Sequence, residues 1–137
     1  MQTIPYLTFS GNCHEAMTFY KKCLGGTLVF QTVGESALAE KMPARMKKLI
    51  LQAKLVKGTL VLMASDMVGE SGLTKGNAVS VFLHCDNERA LRSIYKKLTK
   101  GGEEQYPPES KFNKTIMAAL KDKYDNSWLL YCNEAKA

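Results

Sequence analysis

The side chains best suited to bond-making chemistry here are few: two histidines, His14 and His84, and four cysteines, Cys13, Cys23, Cys85 and Cys132. Cys13 and His14 are neighbours, and a thiol beside an imidazole is the raw material of a nucleophile–base pair. On a helix, adjacent side chains diverge, so these two do not face each other. A helix N-terminus would lower the pKa of Cys13. With no base to partner it, Cys13 reads as an incidental surface thiol, and His14 on the same turn is expected to be exposed. No cysteine pair has CxxC spacing, so all four read as reduced thiols and not as a disulfide frame. Two isolated histidines fall short of the convergent donors a metal ion demands. What remains suits recognition better than reaction. Trp128 and Tyr131 are of the type that lines a cavity for planar ligands, although such aromatics are more often core. Gln52 and Ser65 are the polar residues most readily placed at a pocket. Met63, Met67 and Met117 read as core packing.

The elements that must position these residues follow from periodicity. Residues 4–9 alternate and are rich in branched and aromatic types, which predicts a strand. Asn12, with Glu15 three residues on, resembles a capping box. Ala16, Phe19, Tyr20, Cys23 and Leu24 then form one apolar helical stripe, and Gly25-Gly26 ends the helix. A strand is expected over 27–33, a short helix over 36–42 stopped by Pro43, and strands over 49–56 and 59–64 joined by a tight turn at Lys57-Gly58. Residues 65–77 read as a glycine-bearing linker of the kind that can lie over a site. The pattern then recurs: a strand over 79–83, Asp86 as N-cap, a stripe of Ala90, Leu91, Ile94, Tyr95 and Leu98, and a stop at Gly101-Gly102. From Asn12 to Asp86 the spacing is 74 positions, and at that offset Leu7 matches Val81 and Ala16 matches Ala90. Strands are expected over 103–106, ended by Pro107-Pro108, over 112–121, and over 127–132 after a turn at Asp125-Asn126. Residues 133–137 read as a polar tail. The organisation expected is one domain over 1–137, with one strand–helix–three-strand module over 1–66, a linker over 67–77 and a second module over 78–133.

Composition narrows the class. At 137 residues the chain is long enough to bury one real core. It contains no apolar run of the length a membrane span needs, and its start lacks a signal-peptide pattern, so a cytoplasmic protein is expected. The chain carries 19 Lys and Arg against 13 Asp and Glu, a net charge of +6. The lysines are scattered in pairs, as on solvated faces. No arginine cluster interleaves with aromatics, so a nucleic-acid partner is not expected. The positive balance disfavours a strongly cationic ligand.

Several segments resemble a known family. The opening, PYLTFSGNCHEAMTFYKKCLGG, is similar to that of the PhnB-like branch of the vicinal oxygen chelate superfamily, which includes glyoxalase I, extradiol dioxygenases and bleomycin-resistance proteins. GTLVLMASD, VSVFLHCDN and DKYDNSWLLYC match as well, so the resemblance spans both halves. It implies an α+β fold of two βαβββ modules forming a curved mixed sheet around a ligand cavity, assembled as a homodimer. It also implies the label 3-demethylubiquinone-9 3-methyltransferase that PhnB-like chains often carry. No glycine-rich turn of the kind that holds S-adenosylmethionine stands out here.

Catalytic members of that superfamily hold a divalent metal through His, Glu or Gln on the first and fourth strands of each module. Carried onto this sequence, those positions are Pro5, Leu62, Val79 and Leu129, and none can bind a metal. Asn113 stands where the family often has Trp. The function expected is therefore metal-free binding of a neutral or anionic small molecule, with no cofactor. The alternative is a metal-dependent lyase or dioxygenase with an unusual ligand set.

Overall fold

The structure is a computed structural model, and it describes residues 1–111 and 113–134. The chain divides into two compact units, Met1–Thr74 and Lys75–Ala137. Each is a helix laid on one face of a four-stranded mixed sheet, the α+β arrangement expected.

In the first unit the elements are β1 (Tyr6–Thr8), α1 (Cys13–Leu24), β2 (Thr27–Thr32), β3 (Ile50–Lys57) and β4 (Leu60–Ser65), in sheet order β1-β4-β3-β2. β1 runs parallel to β4, and the other pairs are antiparallel. The apolar stripe of α1 packs against β2, β3 and β4. Ala16, Met17, Tyr20 and Leu24 are buried there with Phe9, Ala53, Leu55, Leu62 and Ala64. Residues 36–42 do not form the short helix expected. Three single 3₁₀ turns at Val33–Glu35, Ala39–Lys41 and Ala44–Met46 fill the space between β2 and β3. The first turn has its own reciprocal cap. The Glu35 amide donates to the Thr32 hydroxyl, and the Thr32 amide donates to the Glu35 carboxylate, which stops β2 at Thr32.

The second unit contains β5 (Val81–His84), α2 (Glu88–Leu98), β6 (Glu103–Lys111), β7 (Thr115–Lys121) and β8 (Ser127–Asn133), in order β5-β8-β7-β6. Leu91, Tyr95 and Leu98 of α2 are buried with Ile116, Ala118, Leu120, Trp128, Leu130 and Cys132. The N-cap is Asn87 and not Asp86: its side chain accepts from the Ala90 amide at 2.8 Å. β6 does not stop at the prolines. It runs through Pro107 and Pro108 to Lys111 as an edge strand, with register shifts on both sides of Tyr106. An edge strand tolerates the missing donors because its outer side has no ladder to complete. Phe112, expected to open the next strand, and residues 135–137 of the expected tail lie outside the described residues.

The glycine pairs after the two helices are needed for space. A Cβ on Gly26, whose φ is +98°, would fall on the carbonyl oxygen of Val56, and one on Gly102 would fall on that of Lys121. The chain leaves each helix by pressing its backbone against the neighbouring strand, which only glycine allows.

Candidate functional site

Because side chains alternate across a strand, each sheet has a second face, on the side away from its helix. In the first unit one row across that face reads Tyr6, Met63, Lys54, Val29, each in register with the next. Beside it lie a Thr8–Ser65 pair and a Gln52–Gln31 pair. In the second unit one row reads Phe82, Leu129, Ala119, Tyr106, and the next reads His84, Tyr131, Met117, Glu109. Tyr6 is 53% exposed, Val29 63%, Phe82 55% and Tyr106 71%. These four large apolar side chains are left in water, one at each edge strand of the two sheets.

The second unit's face has an aromatic cluster. Tyr131 lies with its ring centre 5.8 Å from Phe82 at a tilt of 34°, and 5.0 Å from His84, edge to face at 73°. The Tyr131 hydroxyl is 3.2 Å from Asn133 Oδ1, to which it donates. Such an assembly offers flat apolar area with polar tips at its margin, the pattern that grips planar molecules.

The structure separates the five pocket residues expected from sequence. Tyr131 and Gln52 stand on the faces away from the helices, Tyr131 half-buried and Gln52 exposed. Ser65 has the same parity but is buried, and its hydroxyl accepts the Met67 amide at 3.2 Å, closing the turn out of β4. Trp128 faces α2 and is core: it is buried, and its indole N–H donates to Asp122 Oδ2 at 2.8 Å. Asn113 is exposed in the β6–β7 turn, where its Oδ1 accepts from the Thr115 hydroxyl at 2.6 Å.

The four positions taken from the metal-binding pattern also part company. Leu62 is buried on the α1 side of its sheet. Pro5 precedes β1 and accepts the Met63 amide through its carbonyl, so it is in step with Leu62. Val79 is 82% exposed ahead of β5, and Leu129 lies on the uncovered face beside Phe82. Leu62 and Leu129 therefore do not occupy equivalent places. Strand register makes Ser65 the counterpart of Leu129, since Thr8 pairs with Ser65 as Phe82 pairs with Leu129. The first- and fourth-strand residues that do share the uncovered faces are Tyr6, Thr8, Val61, Met63 and Ser65 in one unit and Phe82, His84, Ser127, Leu129, Tyr131 and Asn133 in the other. The first unit's set holds no imidazole and the second's holds one, beside hydroxyl, amide, phenol and hydrocarbon groups, and neither set fits a divalent ion. Among the described residues no three His, Cys, Asp or Glu side chains come together.

Two buried carboxylates were not legible as structural groups. Asp66, expected in the linker, is 5% exposed and accepts three amides. Gly11 and Cys13 donate to its Oδ1 at 3.0 and 2.9 Å, and Ile50 donates to its Oδ2 at 2.9 Å. It thereby caps α1 from 53 residues away, while the Asn12 side chain makes no cap bond. Asp122 does related work at the β7–β8 turn, accepting from the Tyr124 and Asn126 amides and from Trp128. Asp66 also bears on whether a methyl donor could sit at this turn. The β1–α1 turn is the strand–glycine–helix step of this unit, and its amides face a protein carboxylate. It does not fit the carboxylate or sugar of a methyl donor, which would compete for the same donors.

The same carboxylate alters Cys13. The thiol is buried, not on the surface, and burial together with the Asp66 charge pushes its pKa up to about 12. Burial does the same to Cys85, up to about 11. Neither is a nucleophile. His14 turns outward and stacks on Phe30, with ring centres 4.4 Å apart. Among the described residues no helix is long and apolar enough to cross a membrane.

Comparison with known proteins agrees with this architecture. The family model described as 3-demethylubiquinone-9 3-methyltransferase matches residues 1–131. Protein PA1353 from Pseudomonas aeruginosa is similar at 32% identity over 98% of this chain and 99% of that one, with a TM-score of 0.86. A putative 3-demethylubiquinone-9 3-methyltransferase, PhnB protein, from Bacillus cereus is similar at 22% identity over 98% and 100%, with a TM-score of 0.71. A glyoxalase/bleomycin resistance protein from Albidiferax ferrireducens shares the fold, at 14% identity over 97% and 98% and a TM-score of 0.70. No curated protein matches. On the near-complete match to its model, the chain belongs to the PhnB-like family described as 3-demethylubiquinone-9 3-methyltransferase, within the glyoxalase/bleomycin-resistance fold.

Proposed function

We propose that this protein binds a neutral or anionic small molecule, without a metal ion, on sheet faces not covered by the helices. The carrying observation is the Phe82–Tyr131–His84 cluster: the Tyr131 ring touches both of the others, on a face where solvent reaches Phe82 and His84. Apolar area of this kind stabilises a bound planar ligand by leaving water. The donor chemistry of both faces supports capture over metal-assisted turnover, because polarising a substrate oxygen needs an ion that these side chains cannot hold. The engaged β1–α1 turn likewise supports binding over methyl transfer. The absence of an arginine–aromatic surface in the sequence supports a small molecule over nucleic acid. As part of the same proposal the protein works as a homodimer in the cytoplasm, supported by the sequence resemblance and by four buried cysteines that form no disulfide.

A thermal-shift screen of quinones, aromatic acids and phosphonates tests this reading, since a ligand that binds only the folded state raises Tm. The expected result is a Tm increase that Phe82→Ala abolishes for ligands held by the Phe82–Tyr131–His84 cluster, while leaving the Tm of the free protein in place. A stoichiometric divalent metal in the purified protein, whose removal lowers Tm, would instead favour the lyase or dioxygenase alternative and overturn the proposal.

A further inference from the structure

The uncovered face of the first unit holds a charge that no described residue answers. Lys54 is the third member of the row Tyr6, Met63, Lys54, Val29. Its stem lies between a thioether and a branched hydrocarbon, and its neighbours on either side leave the ammonium exposed. Among the described residues it makes no ion pair or hydrogen bond. The alternate strand positions on this face carry no carboxylate, so Lys54 is its single charge. Other lysines of the unit are placed differently. Lys57 donates to the Leu24 carbonyl at 3.0 Å, and Lys21 and Lys22 sit on the solvent side of α1.

We propose that Lys54 is an anion-recognising residue, and that the first unit's face takes an amphipathic anion: a flat aromatic body bearing a carboxylate. The inference rests on the small-molecule reading above and narrows it, for the first unit's face, from neutral or anionic to anionic. The aromatic body lies along Tyr6 and Met63, which present a ring and a polarisable thioether. The carboxylate meets the Lys54 ammonium. Gln52 is two residues along the same strand on the same face, about 7 Å away, and its amide N–H donates to the second carboxylate oxygen. An exposed ion pair alone contributes little. Here the apolar neighbours exclude water from one side of the pair, so the charge selects among ligands that the apolar surface already holds.

The test measures binding of 2-naphthoate and its uncharged analogue 2-naphthamide by NMR titration, with the native chain, Lys54→Gln and Lys54→Arg. Native protein should bind the carboxylate about tenfold more tightly than the amide, a preference that shrinks in high salt. Lys54→Gln should bind both probes equally, at the native affinity for the amide, and Lys54→Arg should keep most of the preference. Equal affinity of both probes for the native chain, or a preference that survives Lys54→Gln, removes Lys54 as the anion site while leaving small-molecule binding intact. Failure of 2-naphthoate to bind also overturns this inference. The broader ligand screen with Phe82→Ala then judges the small-molecule reading separately.

Discussion

The carboxylate of Asp66 lies 2.9 Å from the backbone nitrogen of Cys13 and accepts its proton, joining the end of β4 to the start of α1 across 53 residues of chain. With the Gly11 and Ile50 bonds it closes the first unit around one buried charge. Asp66→Ala leaves three amides without their acceptor, and should lower unfolding free energy by about 3 kcal/mol. Asp66→Asn keeps one acceptor oxygen and should lose less. Urea denaturation of the two variants checks the order, and equal stability of Asp66→Ala and the native chain would discard this role.

Trp128 is the single tryptophan, and its indole is tied to Asp122 inside the second unit. Trp128→Phe keeps most of the buried area but leaves Asp122 Oδ2 without its indole donor, a cost of about 1–3 kcal/mol. Native fluorescence should be blue-shifted and weakly quenched by iodide. Strong iodide quenching would show the indole in solvent, contrary to its place under α2.

The thiols should be silent under native conditions. With Cys13 raised to about 12 and Cys85 to about 11 from an ordinary 9.0, both stay protonated when the folded protein is at pH 8. A thiol reagent should count four groups in denaturant and almost none within minutes without it. The same shifts set a pH trend. Stability from the buried neutral thiols is fully present below pH 9, where the unfolded chain also keeps its protons. Above that the unfolded chain ionises first, so stability falls as pH climbs toward about 12. A midpoint that rises between pH 9 and 11 would contradict this.

Phe82 contributes to binding more than to folding. Its ring is 55% exposed at an edge strand, so Phe82→Ala should change stability by no more than about 0.5 kcal/mol. Tm shifts induced by ligands of the second unit's face should nonetheless vanish. A large loss of stability with binding retained would move the ligand elsewhere.

Divalent ions should bind weakly and without consequence. Dialysis against chelator, followed by zinc, nickel, manganese or magnesium, should leave Tm unchanged, because the second unit's face offers one imidazole with no carboxylate beside it on β5 or β8, and the first unit's face offers neither on β1 or β4. Elemental analysis of the purified chain provides the independent check.

The sequence by itself determined the elements and their order. Helix stripes, glycine pairs and alternating strands act over a few residues, so the strand–helix–three-strand plan was legible twice, and with it the fold. Local signals erred where a distant group prevailed. Asn12 looked like a cap, yet Asp66 supplies it; Pro107 and Pro108 looked like an end, yet an edge strand passes through them. Only the tertiary structure decided which face each side chain serves. Trp128 and Tyr131 are three residues apart and of similar chemistry, but strand parity puts one under α2 and the other beside His84. Leu62 and Leu129 looked equivalent, but pairing with β1 and β5 places them on opposite sides of their sheets. Register is set by hydrogen bonds between strands far apart in the chain, and a shift of one residue exchanges core for surface.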